Sequence, residues 1–245
     1  MNFYSVIIGT ELLNGRRLDA HFSFLNKELL KRGWEQKASF VIIDEPPFIE
    51  DIYNLIKKDP DAVMFSFGGI GSTPDDYTRQ CAANVFTDGK MERNQHASDC
   101  IIQQFAEEAY PHRIEMADLP IDALPLKNVV NNVPGFSLEG KYFFTPGFPS
   151  MSQSMIIEAL DTFFPKNKEK FRYFLKADCS ENDLIEVMKK IPQSIDFSSL
   201  PHIENGKRTV VISVGSYDKD EAKKYFSLFV ELLKQRDISF ILEDQ

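Results

Sequence analysis

Short apolar runs and amphipathic stretches take turns along the first 86 residues. "FYSVIIG" is a β-branched run stopped by Gly9, and "QKASFVIID" and "DAVMFSF" repeat that pattern further on. Between the first two, "DAHFSFLNKELLKRG" sets Phe22, Leu25, Leu29 and Leu30 on one helical face and stops at Gly33. "PPFIEDIYNLIKKD" opens with prolines, where a helix has no use for the missing N–H. "PDDYTRQCAANVF" predicts a further helix. Three strand–helix alternations predict an α/β domain, with a doubly wound, mainly parallel sheet, helices on both faces and right-handed crossovers. The nearly unbroken apolar character of "DAVMFSF" fits a strand covered on both sides.

Beyond this, residues 91–110 read as helical, and 117–150 form a loop-rich segment that holds five of the 13 prolines. Within it "KYFFT" predicts a strand ending at Pro146-Gly147, and "SMSQSMIIEALDTFF" a closing helix. The polar "PKNKEK", 165–170, reads as a linker. After it come a strand ("FRYFLKA"), a helix ("SENDLIEVMKKI"), a strand ("KRTVVISVGS"), a long amphipathic helix ("DKDEAKKYFSLFVELLKQR") and a last strand ("ISFILE"). The expected organisation is one domain over residues 1–165 and a smaller α/β domain over 166–245.

Charge narrows the choice of partner. The 245-residue chain carries a formal net charge of −9 and only short basic groups such as Lys31-Arg32 and Lys223-Lys224, which argues against nucleic acid. A small anionic ligand would need local help from glycine amides, a helix end or a metal ion. No segment approaches the roughly 20 apolar residues of a membrane span, and "MNFYSVIIGTELL" has no basic leader. Cys81, Cys100 and Cys179 show no CxxC spacing and fit free thiols in a reducing compartment. A cytoplasmic protein is therefore expected. His21, His96, His112 and His202 lack zinc-ligand spacing, and neither a nucleophile elbow nor a cysteine–histidine signature is present.

Three stretches carry candidate chemistry. "FGGIGSTPDDYTR", 67–79, is not a Walker loop, because no Gly-Lys-Ser/Thr comes after it. Nor is it a dinucleotide fingerprint, since Pro74 stands where a third glycine belongs. The stretch reads either as a tight turn needing positive φ or as a loop whose successive amides meet one anion. Thr73, Pro74 and Asp76 predict an N-cap, a first helical position and a capping-box acid. That accounts for one aspartate but does not need both Asp75 and Asp76. Two carboxylates beside an anion site make sense with a hard cation, which one or two carboxylates plus phosphates would hold. In "GTELLNGRRLDAH", 9–21, Glu11 comes just after the strand end at Gly9 and either faces the same sheet edge or caps the next loop, with Asp19 capping the helix beyond. "TPGFPSM", 145–151, is a stiff turn leaving a strand, with Ser150 near a helix start. In a parallel sheet all three would lie at the carboxyl edge.

Together, "GTELLNGRRLDAHFSFLNKELLKRG", "FGGIGSTPDDYTRQ" and "LPLKNVVNNVPGFSLEGKYFFTPGFPSM" resemble the molybdopterin-binding domain, in the version that opens the competence/damage-inducible (CinA-type) proteins. The resemblance covers residues 3–165, with the family's Gly-Asp-Glu-Leu-Leu-x-Gly, Gly-Gly-x-Gly-x-Thr-x-Asp-Asp-x-Thr, Pro-Gly-Phe and Pro-Gly-x-Pro-Ser-x-Met patterns in order. Residues 166–245 resemble the middle domain of the same proteins. Thr10 stands where the family usually has aspartate, and His21 where it has asparagine. The chain is expected to lack the deamidase domain of longer relatives.

The resemblance implies a small phosphorylated ligand, a pterin or a nucleotide diphosphate. It also implies metal-dependent pyrophosphatase activity on ADP-ribose or a related dinucleotide such as FAD. Alternatives are a molybdopterin adenylyltransferase-like role in molybdenum cofactor biosynthesis, or a binding-only sensor, which the loss of acid at Thr10 favours. Carried over residue by residue, Gly9, Thr10, Gly68, Gly69, Gly71 and Thr73 would bind phosphate, and Pro146, Gly147 and Ser150 would line the other wall. Asp76 and Asp75 would be catalytic, and Asp76 with Glu11 would hold the divalent metal, Mg²⁺ first and Mn²⁺ or Co²⁺ otherwise. Assembly into a homo-oligomer, most simply a dimer, is expected on the same ground.

Overall fold

The computed structural model describes residues 1–204 and 206–243, with the side chains of Glu204 and Glu243 outside the description. The chain divides into two compact units, Met1–Asn167 and Lys168–Gln245.

In the first unit the elements run β1 (Asn2–Ile8), α1 (Thr10–Leu13), α2 (His21–Lys31), β2 (Gln36–Ile42), α3 (Pro46–Lys57), β3 (Ala62–Phe67), α4 (Thr78–Phe86), β4 (Met91–Arg93) and α5 (Gln95–Phe105). Next come β5 (Asp118–Pro120), β6 (Leu124–Leu126), β7 (Gly135–Leu138), β8 (Tyr142–Thr145) and α6 (Pro149–Phe163). The six-stranded sheet has the order β2-β1-β3-β8-β7-β6. Its first four strands are parallel, and β7 runs antiparallel to both its neighbours, β8 and β6. The chain leaves β1 toward β2 on one side and reaches β3 on the other, so strand order reverses beside β1, where open α/β sheets bind ligands.

Side-chain alternation assigns the two covers. Tyr4, Val6 and Ile8 of β1 and Met64 of β3 pack with Ile49, Tyr53 and Ile56 of α3, Cys81 and Val85 of α4, and Ile101 of α5. Phe3, Ile7, Phe65 and Phe67 pack on the opposite face with Leu25 and Leu29 of α2 and Ile156 and Leu160 of α6. A strand so covered has no polar face, and every residue of β3 is buried. The one hydroxyl inside it, Ser66 Oγ, lies 2.7 Å from the buried Tyr53 hydroxyl.

Two local expectations are corrected. The helix expected from Pro74 begins at Thr78, because Asp76 folds its carboxylate back onto Thr73 and closes a separate turn. Residues 91–93 are a strand paired with β5, and the helix starts only after Asn94, whose side chain accepts from the Ala97 N–H.

The second unit holds β9 (Phe171–Ala177), α7 (Ile185–Met188), β10 (Asp196–Glu204), β11 (Lys207–Ser216), α8 (Lys219–Gln235) and β12 (Phe240–Glu243). Its four strands form an antiparallel sheet in the order β10-β11-β9-β12. Leu175, Val210, Ile212 and Val214 pack there against Phe229 and Leu233 of α8. The helix expected over 180–191 is broken into a 3-10 turn, closed by a Ser180–Asp183 capping box, and the short α7. Strand β10 is absent from the sequence-based expectation, since Pro201 and the serines of "DFSSLPHIE" obscure its alternation.

Candidate functional site

Strands β1, β3 and β8 lie side by side and parallel, so the residues just past them, Gly9, Gly68-Gly69 and Pro146-Gly147, leave the sheet at one edge. There they line a cleft of about 530 Å³. Backbone contacts join the segments. The Gly68 N–H donates to the Thr145 carbonyl at 2.9 Å, and the Gly9 N–H to the Ile42 carbonyl at 3.0 Å. A Cβ on Gly147 would sit 3.4 Å from the Gly68 Cα, so the two loops pass in backbone contact.

The glycine loop is held from below and left open above. Gly68 and Gly69 take φ of 99° and 67°, a region that excludes most side chains. The buried Thr78 hydroxyl donates to the Gly68 carbonyl at 2.9 Å, and the Thr78 N–H donates to the Gly69 carbonyl at 2.9 Å. Arg79 donates through Nη1 to the Ile70 carbonyl at 2.6 Å and also to the Gly71 carbonyl. Burial pulls the Arg79 pKa down, opposed by Asp76, Asp118 and Glu115. In a trans peptide the N–H lies opposite the C=O, so these contacts turn the amides of Gly71 and Ser72 away from Arg79. Among the described residues, no hydrogen bond is made by the N–H of Gly69, Ile70, Gly71 or Ser72. Four successive unpaired amides beside a cleft are donors of the kind that an anion takes up.

The acids line the same cleft. Glu11, Asp44, Asp75 and Asp76 are all part of its wall. Asp76 Oδ2 accepts from the Thr73 N–H at 2.9 Å and the Thr73 hydroxyl at 2.6 Å, while no described residue donates to Oδ1. Glu11 Oε1 lies 3.8 Å from Arg17 Nη1, with both side chains about two-fifths exposed. Among the described residues no three acids, histidines or cysteines gather as a metal-binding group. The carboxylates of the wall are hard oxygen donors, the kind that binds a divalent ion only together with other oxygens such as ligand phosphates.

Two expected residues fall outside the cleft wall. Thr10 donates its N–H and its hydroxyl to Asp44 Oδ2, at 2.7 and 2.8 Å, and is spent on holding that carboxylate. Ser150 lies exposed in the first turn of α6, and Phe148 and Met151 line the cleft instead. Gly9, Glu11, Gly68, Gly69, Gly71, Thr73, Asp75, Asp76, Pro146 and Gly147 are all brought together.

Sequence reasoning missed the clamps. Arg17 Nη2 donates to the Gly147 carbonyl at 3.1 Å, and its guanidinium carbon lies 5.5 Å from the Phe148 ring centre. His21 is 5% exposed and stacks on Phe67 at 4.4 Å. Its Nε2 lies 3.3 Å from the same Gly147 carbonyl, and its Nδ1 lies 3.4 Å from the Ser152 hydroxyl. Donation from Nε2 assigns the proton there and leaves Nδ1 to accept. Burial lowers the His21 pKa, against the raising effect of the Gly147 carbonyl, so the ring is neutral at pH 7. Thr78 and Arg79 belong to a stretch that the sequence singles out, but nothing in the sequence separates a residue that props a loop from one that touches a ligand.

Residues 5–166 match a family described as "Probable molybdopterin binding domain". A CinA-like protein of Fusobacterium nucleatum is 27% identical over 69% of this chain, which spans 42% of that protein's length. A protein of Pyrococcus furiosus is 26% identical, with 96% of each chain covered. The crystal structure of the CinA protein from Thermoplasma acidophilum, described as of unknown function, aligns with a TM-score of 0.59 at 25% identity, covering 66% of this chain and 97% of that one.

Proposed function

The chain belongs to the molybdopterin-binding-domain family, and from that premise we propose that its cleft binds the phosphates of a pterin or nucleotide ligand and hydrolyses a phosphoanhydride, as a metal-dependent pyrophosphatase acting on ADP-ribose or a dinucleotide such as FAD. The observation that carries this reading is the run of four unpaired amides, Gly69 to Ser72, beside an aspartate with an uncommitted oxygen.

The amides and the loop's glycines receive a phosphate without needing a basic side chain, which suits a protein of net charge −9. Asp76, with Glu11, would hold a divalent ion between protein and phosphate, where the ion supplies charge stabilisation at the phosphoryl oxygens. In this reading Asp76 would also orient the attacking water and accept its proton. Attack of water on one phosphorus breaks its bond to the bridging oxygen, which leaves on the other phosphate. ADP-ribose would thus give AMP and ribose 5-phosphate. Arg17 and His21 hold the Gly147 carbonyl and with it the wall that faces the glycine loop.

The test is incubation with ADP-ribose, with FAD, and with molybdopterin plus ATP, each with Mg²⁺, Mn²⁺ or Co²⁺. AMP released without pterin supports the hydrolase. Adenylylated pterin would replace it with a transferase, and tight binding without product would replace it with a sensor.

A further inference from the structure

Part of the cleft wall lies outside the glycine loop, the acids and the Pro146-Gly147 turn. It consists of Phe105, Arg113, Met116, Asn128, Asn131 and Val133. The Arg113 guanidinium carbon lies 4.4 Å from the Phe105 ring centre, and Nη1 donates to the Glu108 carboxylate at 2.7 Å. A guanidinium laid on an aromatic ring presents its second face for stacking by a flat group.

The two asparagines form a relay whose direction is set by backbone groups. Asn128, 4% exposed, accepts from the Val130 N–H through Oδ1 at 3.0 Å. Its amide nitrogen donates to the Val133 carbonyl at 2.9 Å and to Asn131 Oδ1 at 2.5 Å. Asn131 Oδ1 also accepts from the Val133 N–H at 3.2 Å. A backbone N–H can be met only by oxygen, so the Asn131 amide cannot be turned round. Its oxygen carries two donors already, and its NH₂ makes no hydrogen bond with any described residue. Asn131 lines the cleft, and what its side chain has left to offer a ligand is donors and no free acceptor.

We propose that this wall reads the edge of a planar nitrogen heterocycle and selects a ring bearing a lactam carbonyl over the matched ring bearing an amino group. The inference rests on the phosphate-ligand reading of the cleft and adds the class of ring that the ligand carries. A lactam oxygen accepts what Asn131 donates. An amino group at that position sets N–H against N–H and leaves both unpaired, a loss of about tenfold in affinity. Pterins, hypoxanthine or guanine, and isoalloxazines share this edge; adenine does not, so of the proposed substrates FAD meets it through its isoalloxazine and ADP-ribose does not.

Calorimetric titration of the full chain with Mg²⁺ tests it, using inosine diphosphate, adenosine diphosphate and inorganic pyrophosphate as probes. The first two differ only along one ring edge, 6-oxo with N1–H against 6-amino with bare N1, and inosine diphosphate is expected to bind about tenfold more tightly. In Asn131→Asp the carboxylate still accepts from Asn128 and Val133 but faces the cleft as an acceptor, so the order of the two nucleotides should reverse. Displacement of inosine diphosphate by neopterin or by FMN supports the assignment and identifies the ring. Equal affinities in the parent protein overturn it whether or not the variant folds, and so does an unchanged ratio in a folded Asn131→Asp. Pyrophosphate separates the two levels. If it binds while the nucleotides are not discriminated, the ring assignment alone falls. If none of the three probes binds, the phosphate reading falls with it.

Discussion

At the scale of single residues, Asp76 and His21 show how one contact separates function from folding. Asp76 spends one carboxylate oxygen on Thr73 and keeps the other free at the cleft. In Asp76→Asn the amide oxygen can still accept from Thr73, so stability should fall by about 1 kcal/mol or less. Charge at the free position is lost, and the proposed hydrolysis should slow by at least about a hundredfold, the scale of one preorganised catalytic group. Turnover at saturating metal beside a melting curve checks both halves, and unchanged turnover would remove Asp76 from the mechanism. His21 acts through pH. Its pKa in the folded protein lies below the ordinary value because burial disfavours the cation. The unfolded chain therefore binds more protons as pH falls through about 6.5, and stability declines there. Above that range the contribution of the neutral ring is complete. Urea unfolding of the parent between pH 7.5 and 5 should give a falling midpoint, and His21→Asn should flatten the slope. Parallel slopes would assign the pH response elsewhere.

At the scale of elements, the sheet edge depends on backbone passing close to backbone. A Cβ on Gly68 would lie 2.5 Å from the Ile8 carbonyl oxygen, at a φ of 99°. Gly68→Ala should cost about 2–4 kcal/mol, combining a left-handed residue with overpacking against a strand. Gly15 has a φ of 77° but open space around it. Gly15→Ala should cost only about 1–2 kcal/mol, and chemical denaturation of the pair separates strain from clash. The same elements explain what is legible in the sequence. Doubly covered strands such as "DAVMFSF" declare themselves by unbroken apolar runs, and in a parallel sheet their ends must share an edge, so the meeting of Gly9, Gly68 and Gly147 can be read directly. The start of α4 cannot, because Asp76 accepts from the Thr73 N–H in this free turn as it would in a helix cap. The Asn128–Asn131 relay is hidden for another reason. Its meaning lies in which amide faces which backbone group, and "KNVVNN" carries no period that reports it.

At the scale of the whole molecule, the cleft and its supports belong to one unit. Every residue of its wall lies before position 152, and both cores that flank the sheet are complete by Phe164. A few residues beyond Phe164 still matter to that unit. The Trp34 indole N–H donates to the Pro165 carbonyl at 3.2 Å, and the Asn167 N–H donates to the Arg32 carbonyl at 2.8 Å. These contacts tie the tail of the unit to the end of α2. A fragment of residues 1–167 should therefore fold alone and, since it holds every residue of the cleft wall, bind pyrophosphate within about twofold of the full chain. Cutting earlier should fail for a definite reason. Phe164 packs edge-on against Phe3 at 5.3 Å and against Phe143 at 5.9 Å. A fragment ending at residue 162 removes that ring and the 165–167 ties together, and loss of the ring alone costs about 3–5 kcal/mol. Thermal unfolding of the two fragments, with calorimetry on the longer one, checks the boundary. If residues 1–167 bind pyrophosphate much more weakly than the full chain while melting at the same temperature, the second unit contributes to the site.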